Sequence, residues 1–155
     1  MLLFCLTFNN RERDFNQLSY KSLEHATDAI FEVNAENLED AFVAAAKSVT
    51  ETILDTDTIE EREEETLTVM GKDLRYLLYN WLEEIIILTI TEGFAAKTVS
   101  IVIEKNSEYT ITAKFRGEKI DIKKHHFKVE IKAPTFHEME ITQNGAVYMR
   151  YLLDL

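Results

Sequence analysis

The chain has 155 residues, long enough for one domain with its own apolar core, and its single Cys5 excludes both an intramolecular disulfide framework and a cysteine zinc site. That cysteine usage fits a reducing, cytoplasmic setting. With 28 acidic against 17 basic residues the net charge is −11, so the surface as a whole repels phosphate backbones; it suits a cationic partner or a divalent metal, or is simply a solubilising acidic surface.

In chain order, MLLFCLTFNNRERDFNQLSY opens with eight mostly apolar residues and then turns polar. It has no basic leader region, and no stretch of the chain reaches bilayer-spanning length without charges, so no membrane association is expected. Residues 1–19 read as an N-terminal extension or an extra edge strand, and residues 20–155 as the folded domain. Residues 20–24 read as a short strand, Glu24-His25-Ala26-Thr27-Asp28 as a polar link, and AIFEV over 29–33 as a second strand. Asn37 or Glu36 then opens a helix that places Leu38, Ala41, Phe42, Ala45, Val49 and Ile53 on one face. LDTDTIEEREEE over 54–65 reads as a solvated acidic loop, and TLTVM over 66–70 as a strand leading into Gly71.

The longest helical period lies in residues 73–91, DLRYLLYNWLEEIIILTIT. Leu74, Leu77, Leu78, Trp81, Leu82, Ile85 and Ile86 make one wide apolar stripe, with Asp73 as its cap and Gly93 as a left-handed stop. Beyond Gly93 apolar and polar residues alternate over 99–105, 109–116, 127–132, 139–142 and 147–153, and Asn144-Gly145 signals a two-residue hairpin. The pattern predicts a single α+β domain, two amphipathic helices packed on a mainly antiparallel β-sheet in two layers.

Chemistry is less legible. The chain has only four glycines, and neither GxxxxGK[ST] nor GxGxxG is present, so P-loop and dinucleotide sites lack their phosphate-cradling backbone. His25 with Asp28 could form a catalytic pair, but His125 and His126 sit in a lysine-rich loop, and no motif places a serine or cysteine nucleophile beside a base. His137 after Thr135-Phe136 reads, like the others, as a structural or surface residue. Acid pairs for hydrolysis are available in so acidic a chain, yet nothing singles one out. The residues by themselves reach a soluble α+β domain that could carry a carboxylate site.

Several short motifs recur in a fixed order over about nine tenths of the chain: Glu24-His25-Ala26-Thr27-Asp28; Asn37-Leu38-Glu39-Asp40-Ala41-Phe42; Gly71-Lys72-Asp73-Leu74 leading into Leu77-Leu78-Tyr79-Asn80-Trp81-Leu82-Glu83-Glu84; Thr91-Glu92-Gly93; Lys132-Ala133-Pro134-Thr135-Phe136-His137; and Leu153-Asp154-Leu155. In these the sequence resembles the archease family, small proteins that assist the RtcB-type tRNA-splicing RNA ligase. It departs from the family pattern in the swapped Ala26-Thr27 pair, in Phe136 where tyrosine is usual, in Leu155 for a terminal isoleucine, and in residues 1–19, which have no counterpart.

The resemblance implies a divalent cation site, calcium by custom, on Asp28, Asp154 and the terminal main chain at Leu155. Two aspartates and a terminal carboxylate supply the hard oxygens that Ca²⁺ takes, about six to eight of them. It further implies Asp55 as a weaker ligand or contact, Lys132 as a contact with the ligase, and His25 and His137 as accessory or partner-contact positions. The implied role is non-catalytic: promotion of ligase guanylylation and multiple turnover, without strong direct nucleic-acid binding. A metal-assisted phosphoester hydrolase built on His25, Asp28 and Asp154, and a metal-independent chaperone or adaptor, are the alternatives.

Overall fold

Two short polar side chains start the two long helices. Asn37 and Asp73, both extended at φ −145° and −147°, accept hydrogen bonds from the amides of Asp40 at 2.8 Å and Tyr76 at 2.9 Å. They cap α1, Leu38–Ile53, and α2, Leu74–Ile86. The computed structural model describes residues 13–15, 18–23 and 27–155. The helix expected over 73–91 is regular to Ile86 and then widens into a π-helical turn, Ile87–Thr91, that buries Leu88 and Thr89. Glu92 N donates to Ile87 O at 3.0 Å, and Gly93 at φ 68° is the left-handed stop.

The strands are β1 (Arg13–Asp14), β2 (Lys21–Leu23), β3 (Asp28–Ala35), β4 (Glu63–Gly71), β5 (Phe94–Lys105), β6 (Tyr109–Lys119), β7 (Ala133–Asn144) and β8 (Ala146–Asp154). They form an α+β domain with antiparallel pairing throughout, divided into two four-stranded sheets, β1-β5-β6-β4 and β2-β3-β8-β7. Helix α1 touches β5 of the first sheet and β3 and β8 of the second, while α2 touches β4 and β6 of the first and β7 of the second. The helices therefore serve both sheets, where one sheet with helices on it was expected. The residues show why: every residue from Ala41 through Ala46 is buried, so α1 has no solvent face there, and its run of alanines lets layers close on it from two sides.

Trp81 ties the layers together. Its Nε1 donates to Phe42 O of α1 at 2.8 Å, its ring stacks on Phe115 of β6 at 5.8 Å, and Phe42 meets it edge-on at 6.4 Å. On the second sheet the Tyr151 ring lies tilted against Phe31 at 5.6 Å and its hydroxyl shares a buried hydrogen bond with Ser48 of α1.

Three local expectations fail for physical reasons. Residues 127–132 alternate like a strand but run irregularly, because their amides bond to two different elements: Lys128 N to Ile53 O at 2.7 Å and Lys132 N to Asp154 O at 2.8 Å. The lysine-rich loop before them contains a short helix, α3 (Ile122–His125), capped by Asp121 Oδ1 on Lys123 N. At the last hairpin Asn144 pairs with Ala146, leaving Gly145 at φ 78° alone at the apex, so the two-residue turn is not formed. Strand β7 also carries a wide bulge between Thr135 and Glu140: four residues face Tyr151 alone, and Glu138 sits at φ 56°. A period-2 reading cannot cross such a bulge, which is why only its distal half is visible in the sequence.

The β5–β6 ladder depends on Gly117, which lies opposite a register shift between Ala96 and Thr98. A Cβ there would collide with the Ala95 carbonyl oxygen. Gly117→Ala is accordingly expected to destabilise the fold by about 2 kcal/mol or more, read as a lower urea midpoint with an unchanged slope.

Candidate functional site

Antiparallel pairing of β3 with β8 sets Asp28 directly opposite Asp154, and the next pair, Ala29 with Leu153, turns inward. The two carboxylates therefore share the outer face of the sheet, Asp28 half-buried and Asp154 exposed. Directly opposed residues have Cβ atoms about 4.5–5.5 Å apart, and like charges so placed repel. Leu155 follows and packs partly against the core.

Other predicted positions reach this end through the backbone. Lys132 N donates to Asp154 O at 2.8 Å, and Ala133 is the register partner of Asp154 on its other side. Upstream, Asp55 N donates to His125 O at 2.8 Å, so residues 125–132 run as a strap from the C-terminal end of α1 to the last residues of β8. The four steps from Lys128 to Lys132 span at most about 14 Å, which brings Asp55 to the same end as Asp154. Asp55 Oδ1 accepts from Asp57 N at 3.1 Å, so one of its oxygens shapes a turn. His137 is exposed in the β7 bulge with its amide on Thr135 Oγ1 at 3.1 Å. His25 lies outside the described residues.

Among the described residues no group of three or more His, Cys, Asp or Glu side chains could hold a metal. The donor set brought together is the Asp28–Asp154 pair, hard oxygens of the kind Ca²⁺ or Mg²⁺ takes, and main-chain or water oxygens would have to complete it. The residues fit such an ion in type, with a small anionic pair at the centre.

The strap is held by a charge cluster that sequence reading did not find. Glu118 accepts from Lys124 Nζ at 2.7 Å, from His125 Nε2 at 2.8 Å and from Glu60 N at 3.1 Å, with Arg62 Nε at 3.6 Å. His125 is fully buried, and its Nδ1 accepts from Asp121 N at 2.9 Å, so the ring proton sits on Nε2 and points at Glu118. Burial pushes the Glu118 carboxyl up, but the hydrogen bonds from Lys124, His125 and the Glu60 amide outweigh it and bring it down to about 2. The only signal was His125 in a lysine-rich loop; Glu118 lies seven residues before it on β6, and Glu60 and Arg62 lie far back in the chain.

A model of the archease protein family matches residues 20–155. The chain belongs to the archease family. It is 37% identical to the archease of Pyrococcus abyssi over 79% of this chain and 87% of that one. With the archease of Methanopyrus kandleri it shares 34% over 89% of this chain and all of the relative. The solution structure of protein 1598 of Methanobacterium thermoautotrophicum superposes with a TM-score of 0.76 at 32% identity, covering 88% and 98% of the two chains. An archease from Thermotoga maritima, described as a possible chaperone, has the same fold at TM-score 0.56 and 20% identity, over 87% of this chain and 96% of that one. Among the described residues of this archease, no helix is long and apolar enough to cross a membrane.

Because Glu118 is held below its ordinary value of 4.5, at about 2, its contribution to stability is complete above pH 4.5 and is lost as the pH falls toward 2. Glu118→Gln should lower stability at neutral pH and flatten the pH dependence in that acid window. Denaturant unfolding of both proteins between pH 2 and pH 7 checks it, and parallel profiles would contradict the cluster.

Proposed function

We propose that this protein is a non-catalytic activator of an RtcB-type RNA ligase that promotes guanylylation and repeated turnover, with a divalent cation, calcium first, held by Asp28, Asp154 and the Leu155 main chain. The observation that carries this reading is the register pairing of Asp28 with Asp154 beside Lys132, with Asp154 and Lys132 both exposed. Facing carboxylates on paired strands offer the hard oxygens a divalent cation takes, which supports an ion site rather than a turn and a frayed terminus. Membership of the archease family supports the choice of partner.

The ion, when bound, supplies positive charge at this end; the protein's own residues do the rest. Asp28 and Asp154 hold it on a rigid β3–β8 ladder, Lys132 offers a cation next to it for the ligase surface, and the strap keeps Asp55 and Lys132 in a fixed relation. An activator of this kind needs only a few kcal/mol of differential affinity for the nucleotide-competent ligase, since about 1.4 kcal/mol shifts a two-state ratio tenfold. His25 and His137 are accessory contact positions in the same scheme.

The test pairs stability with activity. Calcium at 100 times its dissociation constant should stabilise the protein by about 2.7 kcal/mol. Asp154→Asn should abolish that gain while raising calcium-free stability by up to about 1 kcal/mol as the repulsion is relieved. The same variant should lose stimulation of multiple-turnover ligation and guanylylation by the ligase of the same organism. Undiminished stimulation by Asp154→Asn, or stimulation that survives chelator, would leave the metal-independent adaptor reading in its place.

A further inference from the structure

The charge of the chain is unevenly spread. Residues 118–132 hold five lysines against Glu118, Asp121 and Glu130, a net +2 in a chain whose total is −11, which leaves −13 on the remainder. Elsewhere among the described residues five cations lie against carboxylates: Lys47 on Glu51, Lys114 and Arg116 on Glu64, Arg62 on Glu60, Arg150 on Glu32 and Glu138. Within residues 118–132 only Lys124 is so used. Lys119, Lys123 and Lys128 are exposed, and among the described residues their ammonium groups meet no carboxylate.

These lysines stand on a rigid support. Ile120 N is bonded to Gly93 O at 2.8 Å, Asp55 N to His125 O at 2.8 Å and Lys128 N to Ile53 O at 2.7 Å, over the buried His125–Glu118 pair. His126, at φ 51°, turns the chain in the left-handed region that few side chains adopt, and after that turn the Phe127 ring stands 44% exposed beside Lys128. Exposed cations and an exposed aromatic ring on one short segment are the combination that binds single-stranded nucleic acid, the cations on phosphates and the ring on a base. Protein interfaces, by contrast, deplete lysine.

We infer that the segment 119–128, which leads into the strap, binds single-stranded RNA, Lys119, Lys123 and Lys128 contacting backbone phosphates and Phe127 stacking on a base. The choice of RNA as the polyanion rests on the ligase reading above; the lysine array does not. The strap runs into the Asp28–Asp154 end, so it would hold the ligase's RNA beside the docked face. Lys132 is left to the ligase contact. The acidic remainder of the molecule keeps the binding weak and sensitive to salt.

The test is fluorescence anisotropy of a labelled short oligouridylate with the full chain and no ligase, so its outcome is independent of whether the activator reading holds. Three phosphate contacts give a log–log salt slope of about −2, an affinity loss of roughly 20-fold between about 50 and 200 mM salt. Lys123→Gln with Lys128→Gln should lower affinity about tenfold at low salt and bring the slope near −0.7. Phe127→Ala should weaken binding with the slope unchanged. Lys72→Gln with Lys105→Gln removes the same charge away from the strap and should leave both intact. No binding at 50 mM salt, an equal loss in the Lys72 and Lys105 pair, or binding of polyglutamate as tight as RNA of equal charge would each overturn the inference, the last in favour of an acidic protein surface.

Discussion

The fold depends on enclosing a helix between two sheets. A helix that packs on one sheet can keep a polar back; α1 cannot, because residues 41–46 are buried all round. Small side chains solve the steric part of that constraint and hydrogen bonds solve the polar part: Ser48 binds Tyr151, Thr50 Oγ1 bonds back to Ala46 O, and Trp81 spends its indole N–H on the Phe42 carbonyl. No buried side-chain nitrogen or oxygen among the described residues lacks a partner. Burial, and then the hydrogen bond to Glu51, pushes the Tyr20 phenol up, so the edge of the second sheet is closed by a neutral ring whose hydroxyl donates.

Enclosure also decides where the working end lies. Strand β3 leads directly into α1, so α1 returns along the sheet and ends at Ile53, toward the end where β3 began. Strand β8, antiparallel to β3, finishes there too. The two acidic groups of this end are treated differently. Glu118 is enclosed and fully compensated, and it holds the strap; Asp28 and Asp154 are register partners at the rim, the first half-buried and the second exposed. The first is structure. The second lies at the surface, and the proposed function is placed there.

Much of this was legible in the chain. Asn37 and Asp73 announce their helices, the 3.6-residue period of 73–86 survives intact, and β3, β6 and β8 follow their alternation. The division into two sheets was not legible, because alternation says that a strand has two faces and nothing of which strand it pairs with. The same limit governs the site. Asp28 and Asp154 stand out through family resemblance, but that they are register partners is a property of the β3–β8 ladder, set by residues such as Phe31 and Tyr151 that carry no chemistry. The Glu118 cluster was invisible for the same reason: it joins a strand, a loop and a one-turn helix.

Phe136 shows what a departure from the family pattern does in physical terms. Its ring stacks on Tyr79 at 4.2 Å with 9° between the planes, lies 5.0 Å from Tyr76, and has the Arg75 guanidinium over its face at 5.1 Å. Arg75 Nη2 also donates to its carbonyl at 2.9 Å. Each of these contacts uses the ring or the main chain, so none needs the hydroxyl that a tyrosine would bring. What the position must do is pin the β7 bulge to α2. With the bulge pinned, Ala133 to Thr135 stay in register with Leu152 to Asp154, and Lys132 keeps its amide on the Asp154 carbonyl. An aromatic ring at the start of the bulge thus braces the strand that leads to the acidic end without touching that end.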